Sequence, residues 1–399
     1  MCSLNQLIAI RQTTSSVICV DTRISNSIRK PTDADMPGGN AERQLEKLPL
    51  INLSDEDSDR PAGVSKCVAC FKQFKQKAFF IEHMQKAGHS PHDPRCAHCQ
   101  KHCRCLDALR EHLTGPLAKK ECAMEFAQRG CSICLNIFEN VEILAQHHHT
   151  CQLTASTNNA PLVICGASNA RKRIQGPRDF VPKSQRPVVA LDCEMVGGGP
   201  DGAVDLCARI CIINENETVL INTFVKPELP VTDYRFEITG VYPEDLEKGM
   251  PIKAARKAVE EILYNGSKNS HNASLLVGHS LHHDLNCLGI EFPIHLQRDT
   301  AYYPPLLRTS NVCNKLQYLA NTYLGYKIQE GKSHDPLEDA IAAMRLYKRM
   351  RNANHNMQGG TKRRQLPLYA RPSRELETMT PEELLELSEP RFRCWCLDN

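Results

Sequence analysis

A chain of 399 residues is long for one domain and implies two or more. Its formal net charge of +3 excludes a globally basic nucleic-acid binder, so any such footprint must be local. No apolar run reaches the length of a membrane span, and the N-terminal "LIAI" is broken too soon by Arg11 to read as a secretory signal, so the twenty cysteines are expected to be thiols or metal ligands rather than a disulfide framework.

Residues 1–62 are polar, carry "LSDEDSDRP" and keep no period, which predicts a disordered arm. Over residues 63–153 the composition changes, because ten of the twenty cysteines and nine of the sixteen histidines fall between Cys67 and Cys151. Three segments there repeat one register: Cys67-x2-Cys70-x12-His83, Cys96-x2-Cys99-x12-His112 and Cys131-x2-Cys134-x12-His147. Apolar slots recur with them, Phe74, Cys103 and Phe138 after the second cysteine and Phe80, Leu109 and Leu144 before the histidine. That is the spacing of a ββα zinc finger, in which a tetrahedral Zn²⁺ replaces the core that so short a segment cannot build. The competing reading, buried cysteines and surface histidines, has to explain the triple repeat by chance. His89 supplies the fourth ligand of the first unit, and Cys151 fits the third, with His148 and His149 as competitors. In the second unit the regular candidate is Cys122, which lies farther from His112 than the usual three to five residues. The joints between units differ in length, which argues against a regular array reading three base pairs per finger; RNA, structured DNA and protein all remain open as partners.

Residues 154–186, with "RKR" and "GPRDFVPKSQRP", read as a basic linker. The pattern over 187–352 then alternates. Strands are predicted at "VVALD" (188–192), "LCARICII" (206–213), "TVLINTFV" (218–225) and "SLLVGHS" (274–280), with helices at 251–265 and 315–325, the latter stopping at Gly325. A mixed α/β sheet covered by helices follows. Residues 353–399 begin with "GGTKRR" and read as a flexible tail with one capped short helix in "TPEELLELSEP" and the only tryptophan beyond it.

The chemistry concentrates in 187–352. In "KSHDPLEDA", Asp335 is a good N-cap, Pro336 suits the first helical position and Glu338 completes a capping-box pattern, so a helix starts at Pro336. His334 and Asp339 then occupy the staple positions, where an imidazole beside a carboxylate does nothing for a core. In "VVALDCEMV" the period of two puts Asp192 and Glu194 on one side and Cys193 on the other. Adjacent carboxylates at an apolar strand repel and are poorly solvated unless a cation sits between them. Asp284, where "VGHSLHHDL" leaves a strand for a helix, and Asp339 bring the set to four, matching two Mg²⁺ or Mn²⁺ ions, with His334 as base. Taken singly each has a plainer account: Asp192 and Glu194 as edge charges, Asp284 as a cap, His282, His283 and His334 as exposed imidazoles. Cys193, Cys207, Cys211, Cys287 and Cys313 are scattered singly at apolar positions and read as buried thiols. His279 and His283 read as packing or supporting groups, and Asp299 as orienting a helix start.

The segments "VVALDCEMVGGGPDG", "VTDYRFEITGV", "LLVGHSLHHDL" and "SHDPLEDAIAAMRLY" together resemble the DEDDh 3′-to-5′ exonucleases of ribonuclease H-like fold, in the RNA exonuclease 4 and interferon-stimulated exonuclease group, over about residues 187–351. The resemblance implies that Asp192, Glu194, Asp284 and Asp339 hold two metals, that His334 is the general base, and that Met195, Tyr234 and Arg235 meet the 3′-terminal nucleotide. Tyrosine-type relatives carry a tyrosine where this chain has Asp335, so the histidine type fits. The finger units and the ending "RFRCWCLDN" are similar to a zinc-finger-bearing subgroup from plants.

The expected activity is removal of nucleoside 5′-monophosphates from the 3′ end of single-stranded nucleic acid, RNA first, with Arg235 reading a 2′-hydroxyl and the fingers recruiting substrate. A 3′ DNA exonuclease acting in repair is the same-class alternative. A zinc-finger adaptor whose nuclease-like half is only a scaffold is the alternative from another class. The family and the basic runs Arg171–Arg173 and Lys362–Arg364 suggest residence in the nucleus or nucleolus.

Overall fold

The structure is a computed structural model and describes residues 63–151, 186–266, 272–308, 312–331, 333–353, 355 and 368–398. The arm at 1–62, the basic runs at 171–173 and 362–364, and the linker apart from Arg186 lie outside the described residues.

The cysteine-rich part begins with a hairpin, β1 (Ser65–Lys66) against β2 (Gln73–Phe74), followed by α1 (Lys77–Ala87). The next two units reduce the hairpin to single bridges, Arg95 with His102 and Gly130 with Ile137, before α2 (Leu106–Thr114) and α4 (Val141–Cys151). Between them stands a helix not read from the sequence, α3 (Lys120–Arg129).

The α/β part is built on β3 (Val188–Gly198), β4 (Val204–Asn214), β5 (Val219–Lys226), β6 (Val231–Asp233), β7 (Met250–Pro251), β8 (Leu275–Gly278) and β9 (Gln297–Asp299). They pair in the order β7-β5-β4-β3-β8-β9, with β6 added to β3. β3 is central because its first four residues are buried, which a strand needs when it is covered on both faces. It runs antiparallel to β4 and parallel to β8, the mixed sheet the sequence predicts.

Short helices α5 (Phe236–Thr239) and α6 (Pro243–Glu247) precede α7 (Ile252–Leu263), and α8 (Leu281–Leu288) leaves the end of β8. The helix predicted over 315–325 begins as α9 (Leu316–Leu319) but continues as a π-helical turn over Ala320–Leu324, ending at Gly325 in the left-handed region (φ 77°). α10 (Pro336–Arg351) lies across β3, β4 and β8, and its fully buried Ala340, Ala342 and Ala343 leave no bulk to hold it off the sheet.

Residues 368–398 differ from the flexible tail read from the sequence. Helices α11 (Ser373–Thr378) and α12 (Pro381–Leu387), the latter with the Thr380–Glu383 capping box, present Leu376 and Leu384 to Phe80, Ile81 and Met84 of the first cysteine unit. Trp395 is buried and stacked on Tyr303, with ring centroids 3.8 Å apart at 10°. The buried Arg298 meets the buried Asp398 through two bonds of 2.6 and 2.8 Å. A tail that alternates aromatic, thiol and charge has no helical or strand period, so only the surface receiving it orders it.

The two parts share one core. Leu109, Leu113 and Phe126 pack in the same buried cluster as the sheet. The Asp107 carboxylate accepts hydrogen bonds from Tyr318 and Tyr323 hydroxyls and from Asn314 Nδ2.

Candidate active site and metal-ligating groups

β3 carries Asp192 and Glu194 into the site, and a bulge follows directly, where the pairing with β4 shifts between Glu194 and Met195. The first turn of α8 supplies Asp284. That helix start is set by Asp299, whose Oδ1 accepts from the Ser280 and Ala301 N–H groups and Oδ2 from the Leu281 N–H, all at 2.8–2.9 Å. Asp284 Oδ1 accepts from the Cys193 N–H at 2.8 Å, which holds the helix start against the strand between the two acidic residues.

α10 supplies Asp339. Asp335 caps it, accepting from the Leu337 N–H, but the Glu338 carboxylate does not close a capping box; it accepts from the Gln329 N–H at 2.8 Å instead. The same Gln329 donates Nε2 to Asp339 Oδ2 at 2.7 Å, while Asp339 Oδ1 is buried without a partner. His334 Nδ1 lies 3.8 Å from Asp339 Oδ2, and the His334 backbone N–H donates to the Ile238 carbonyl at 2.7 Å, tying the imidazole's segment to α5.

The electrostatics are one-sided. Burial pushes the Asp192 carboxyl well above the usual range, and Asp284, Asp339 and Glu194 push it further. Glu194 rises to about 8, from burial first and then Asp339, with Arg209 opposing. Asp339 rises to about 6 through burial, opposed by the Gln329 hydrogen bond. Burial lowers His334, so its imidazole is neutral at neutral pH. Such a set needs positive charge and offers only oxygen donors, which suits hard divalent cations.

The segment expected to meet a terminal nucleotide lies beside this set. Tyr234 and Phe236 stack at 5.3 Å and 12°, and Tyr242 lies 5.5 Å from Phe236, with Phe236 and Tyr242 about half exposed. Met195 is half-buried. The Arg235 guanidinium bonds Asp205 Oδ1 at 2.7 Å and the Gly202 carbonyl at 2.9 Å. Gln329, Arg209, Phe236 and Tyr242 were not found from the sequence. Only the exposed aromatics carried a signal, the two rings within "RFEITGVY".

Among the described residues, four cysteine–histidine groups have all their ligand atoms within 4.8 Å of one another. Three are Cys67, Cys70, His83, His89; Cys96, Cys99, His112, Cys122; and Cys131, Cys134, His147, Cys151. One turn recurs in each: the first cysteine's carbonyl accepts from the N–H four residues on, and that residue, Phe71, Gln100 or Leu135, has positive φ. α3 brings Cys122 to the second group, so the long gap after His112 is a helix entering from outside the unit. In the third group the place is taken by Cys151, not His148 or His149. His89 Nε2 is buried with no partner, and burial pushes that imidazole down to about 4, leaving a lone pair free for a metal.

Cys193, Cys207 and Cys287 are not scattered singly as read from the sequence; they meet behind β3, because residue 193 faces away from the carboxylates and α8 covers that side. Among the described cysteines, Cys313 is the one that is disulfide-bonded. His279 is half-buried, its Nδ1 2.9 Å from Thr300 Oγ1, and the exposed His283 lies against His282 with ring centroids 3.9 Å apart at 39°.

The family model described as Exonuclease (RNase_T) matches residues 189–347, so this part is an exonuclease domain of mixed α/β fold. The chain is 39% identical over 160 residues to human RNA exonuclease 4, covering 40% of this chain and 36% of that protein. It is 38% identical over 171 residues to human interferon-stimulated 20 kDa exonuclease-like 2, covering 42% and 46%. It is 33% identical over 199 residues to human apoptosis-enhancing nuclease, covering 46% and 59%. The chain thus spans between about a third and three fifths of the length of these relatives.

Proposed function

We propose that this protein is a two-metal-dependent 3′-to-5′ exonuclease of the histidine type that releases nucleoside 5′-monophosphates from single-stranded RNA. The observation that carries the reading is the gathering of Asp192, Glu194, Asp284 and Asp339, mutually repelling and starved of positive charge, beside the neutral His334. The four carboxylates balance two Mg²⁺ or Mn²⁺ ions, and the unpartnered Asp339 Oδ1 is a donor free to hold one. Ions bound there supply charge stabilisation to the attacking and leaving oxygens of an in-line phosphoryl displacement.

The chain's own residues do the rest. Gln329 holds one oxygen of Asp339 and leaves the other for a cation. His334, with Nδ1 toward Asp339, takes the proton of the attacking water at Nε2. Tyr234, Phe236 and Tyr242 form a stacking platform for the terminal bases, worth about 1–3 kcal/mol per stacked base, and the half-buried Met195 meets the same nucleotide. Arg235 buttresses this platform through Asp205. RNA is chosen as the substrate class on the strength of the relatives named RNA exonuclease 4. The three repeated Cys/His groups hold Zn²⁺ as finger units that recruit nucleic acid, and the nucleus is the proposed compartment.

The test uses matched 5′-labelled single-stranded RNA and DNA with the purified protein and its Asp192→Ala variant, with and without Mn²⁺, and identifies the released product by chromatography. A metal-dependent ladder shortening from the 3′ end of RNA, absent in the variant and accompanied by 5′-monophosphates, is expected. Preferred cleavage of DNA replaces RNA as the substrate, and no ladder on either strand leaves a zinc-bound adaptor as the better account.

A further inference from the structure

The fourth cysteine–histidine group is not part of the repeat. It consists of His92, His355, Cys394 and Cys396, whose ligand atoms all lie within 4.8 Å of one another. Cys394 Sγ is 3.2 Å from His355 Nε2, Cys396 Sγ is 3.2 Å from His92 Nδ1, and the two imidazole centroids are 4.7 Å apart. The repeated groups have the same sulfur–nitrogen spacing: 3.3 Å for Cys70–His83, 3.4 Å for Cys99–His112 and 3.2 Å for Cys134–His147. A tetrahedron with Zn–S of about 2.3 Å and Zn–N of about 2.0 Å has sulfur–nitrogen edges of roughly 3.5 Å, so each pair is close to the spacing a single ion imposes.

The four ligands come from three remote stretches. His92 lies between the first two repeated groups, His355 lies beyond the end of α10, and the two cysteines flank Trp395 near the end of the chain. We propose that they form a fourth, closed Zn²⁺ site of the Cys₂His₂ class, which fastens the C-terminal segment and the first finger unit to the exonuclease domain. Two thiolates and two imidazoles in tetrahedral reach select zinc over the hard cations of the carboxylate site. Four protein ligands leave no position for substrate, which makes the site structural rather than catalytic.

Its surroundings show what it fastens. On one side Leu376 and Leu384 pack on Phe80 and Met84, and Lys77 Nζ donates to the Met379 carbonyl at 2.6 Å. On the other, Trp395 stacks on Tyr303, and Asp398 pairs with Arg298 at the end of the sheet. The ion sits at the joint, so the fingers keep a fixed position relative to the active site. The inference does not depend on the proposed activity.

Bound zinc is counted by inductively coupled plasma mass spectrometry on the full chain, gel-filtered into metal-free buffer, for the wild type, the Cys394→Ser/Cys396→Ser double variant, His92→Ala and His92→Cys. The double variant and His92→Ala are expected to carry one zinc fewer per chain than the wild type, whatever number the fingers hold. His92→Cys is expected to retain it, since a thiolate replaces the imidazole as ligand; simple loss of packing predicts no such rescue. Cobalt reconstitution gives a second readout, with a loss of thiolate-to-cobalt absorbance in the double variant. Equal zinc content in the wild type and the double variant, or a Cys394–Cys396 disulfide in the freshly purified wild type, overturns the site. If the double variant does not fold, the His92 pair decides alone: equal zinc in His92→Ala and the wild type refutes the proposal.

Discussion

Glu194→Gln separates what the carboxylate site costs the fold from what it does for chemistry. Glu194 is 5% exposed, and burial with Asp339 and Asp335 nearby raises its carboxyl from the ordinary 4.5 to about 8, against the pull of Arg209. A carboxyl whose folded value lies above its unfolded value favours the fold while protonated. Its contribution is therefore present below about pH 4.5 and lost as pH rises through about 8. At about 1.4 kcal/mol per tenfold change, the interval amounts to roughly 5 kcal/mol at most for this one group. Asp339, moved from 3.8 to about 6, acts in the same direction, and because the groups interact the two effects are not summed.

The assay is urea unfolding at pH 5, 7 and 9 in divalent-free buffer without chelator, so that zinc stays bound. It is followed by the fluorescence of Trp395, the single tryptophan, which packs on Tyr303 in the exonuclease core. The wild type is expected to lose stability steadily with pH and the Gln variant markedly less, so that the variant's advantage grows from about 1 kcal/mol or less at pH 5 to a few kcal/mol at pH 9. Adding Mg²⁺ at pH 9 should restore more stability to the wild type than to the variant, while the variant loses nuclease activity. Parallel pH profiles, or a variant less stable at pH 9, would refute the reasoning that crowded carboxylates await cations.

Three further outcomes follow from the same geometry. His334→Ala should lower the rate by roughly 10²–10⁴-fold with divalent-ion affinity unchanged in calorimetric titration; an unchanged rate removes the histidine from the chemistry. Asp398→Ala leaves the Arg298 guanidinium buried without its carboxylate and should cost about 3–5 kcal/mol in the same urea assay, whereas a loss below about 1 kcal/mol would show that the pair is solvated in solution. Stripping zinc should melt residues 63–151, and because Asp107 is tied to Tyr318, Tyr323 and Asn314, hydrogen exchange should also quicken around residues 316–324; protection unchanged there would mean that the units do not share a core.

Much of the exonuclease half was legible in the chain because its signals are local. The period of two in "VVALDCEMV" separates Asp192 and Glu194 from Cys193, and the Asp335–Pro336 start fixes how His334 and Asp339 sit, since both follow from backbone geometry within a few residues. The Cys-x2-Cys-x12-His register is legible for the same reason: the two cysteines and first histidine of each set close within one short turn and the helix after it, whereas Cys122 needs a second helix that its spacing does not announce.

Distant chain segments decided the remainder. Glu338 looked like half of a capping box but found the Gln329 N–H, because a loop folded back onto α10 offered a closer donor. Arg235 turned to Asp205 across β6 and β4, and the tail from 368 onward became part of two cores. His92, His355, Cys394 and Cys396 share no period and hundreds of residues separate the first from the last, yet the fold sets them side by side. Sequence spacing determines which residues are neighbours within an element. Which elements become neighbours depends on how buried surfaces and unpaired donors are satisfied across the whole chain, and no local pattern records that.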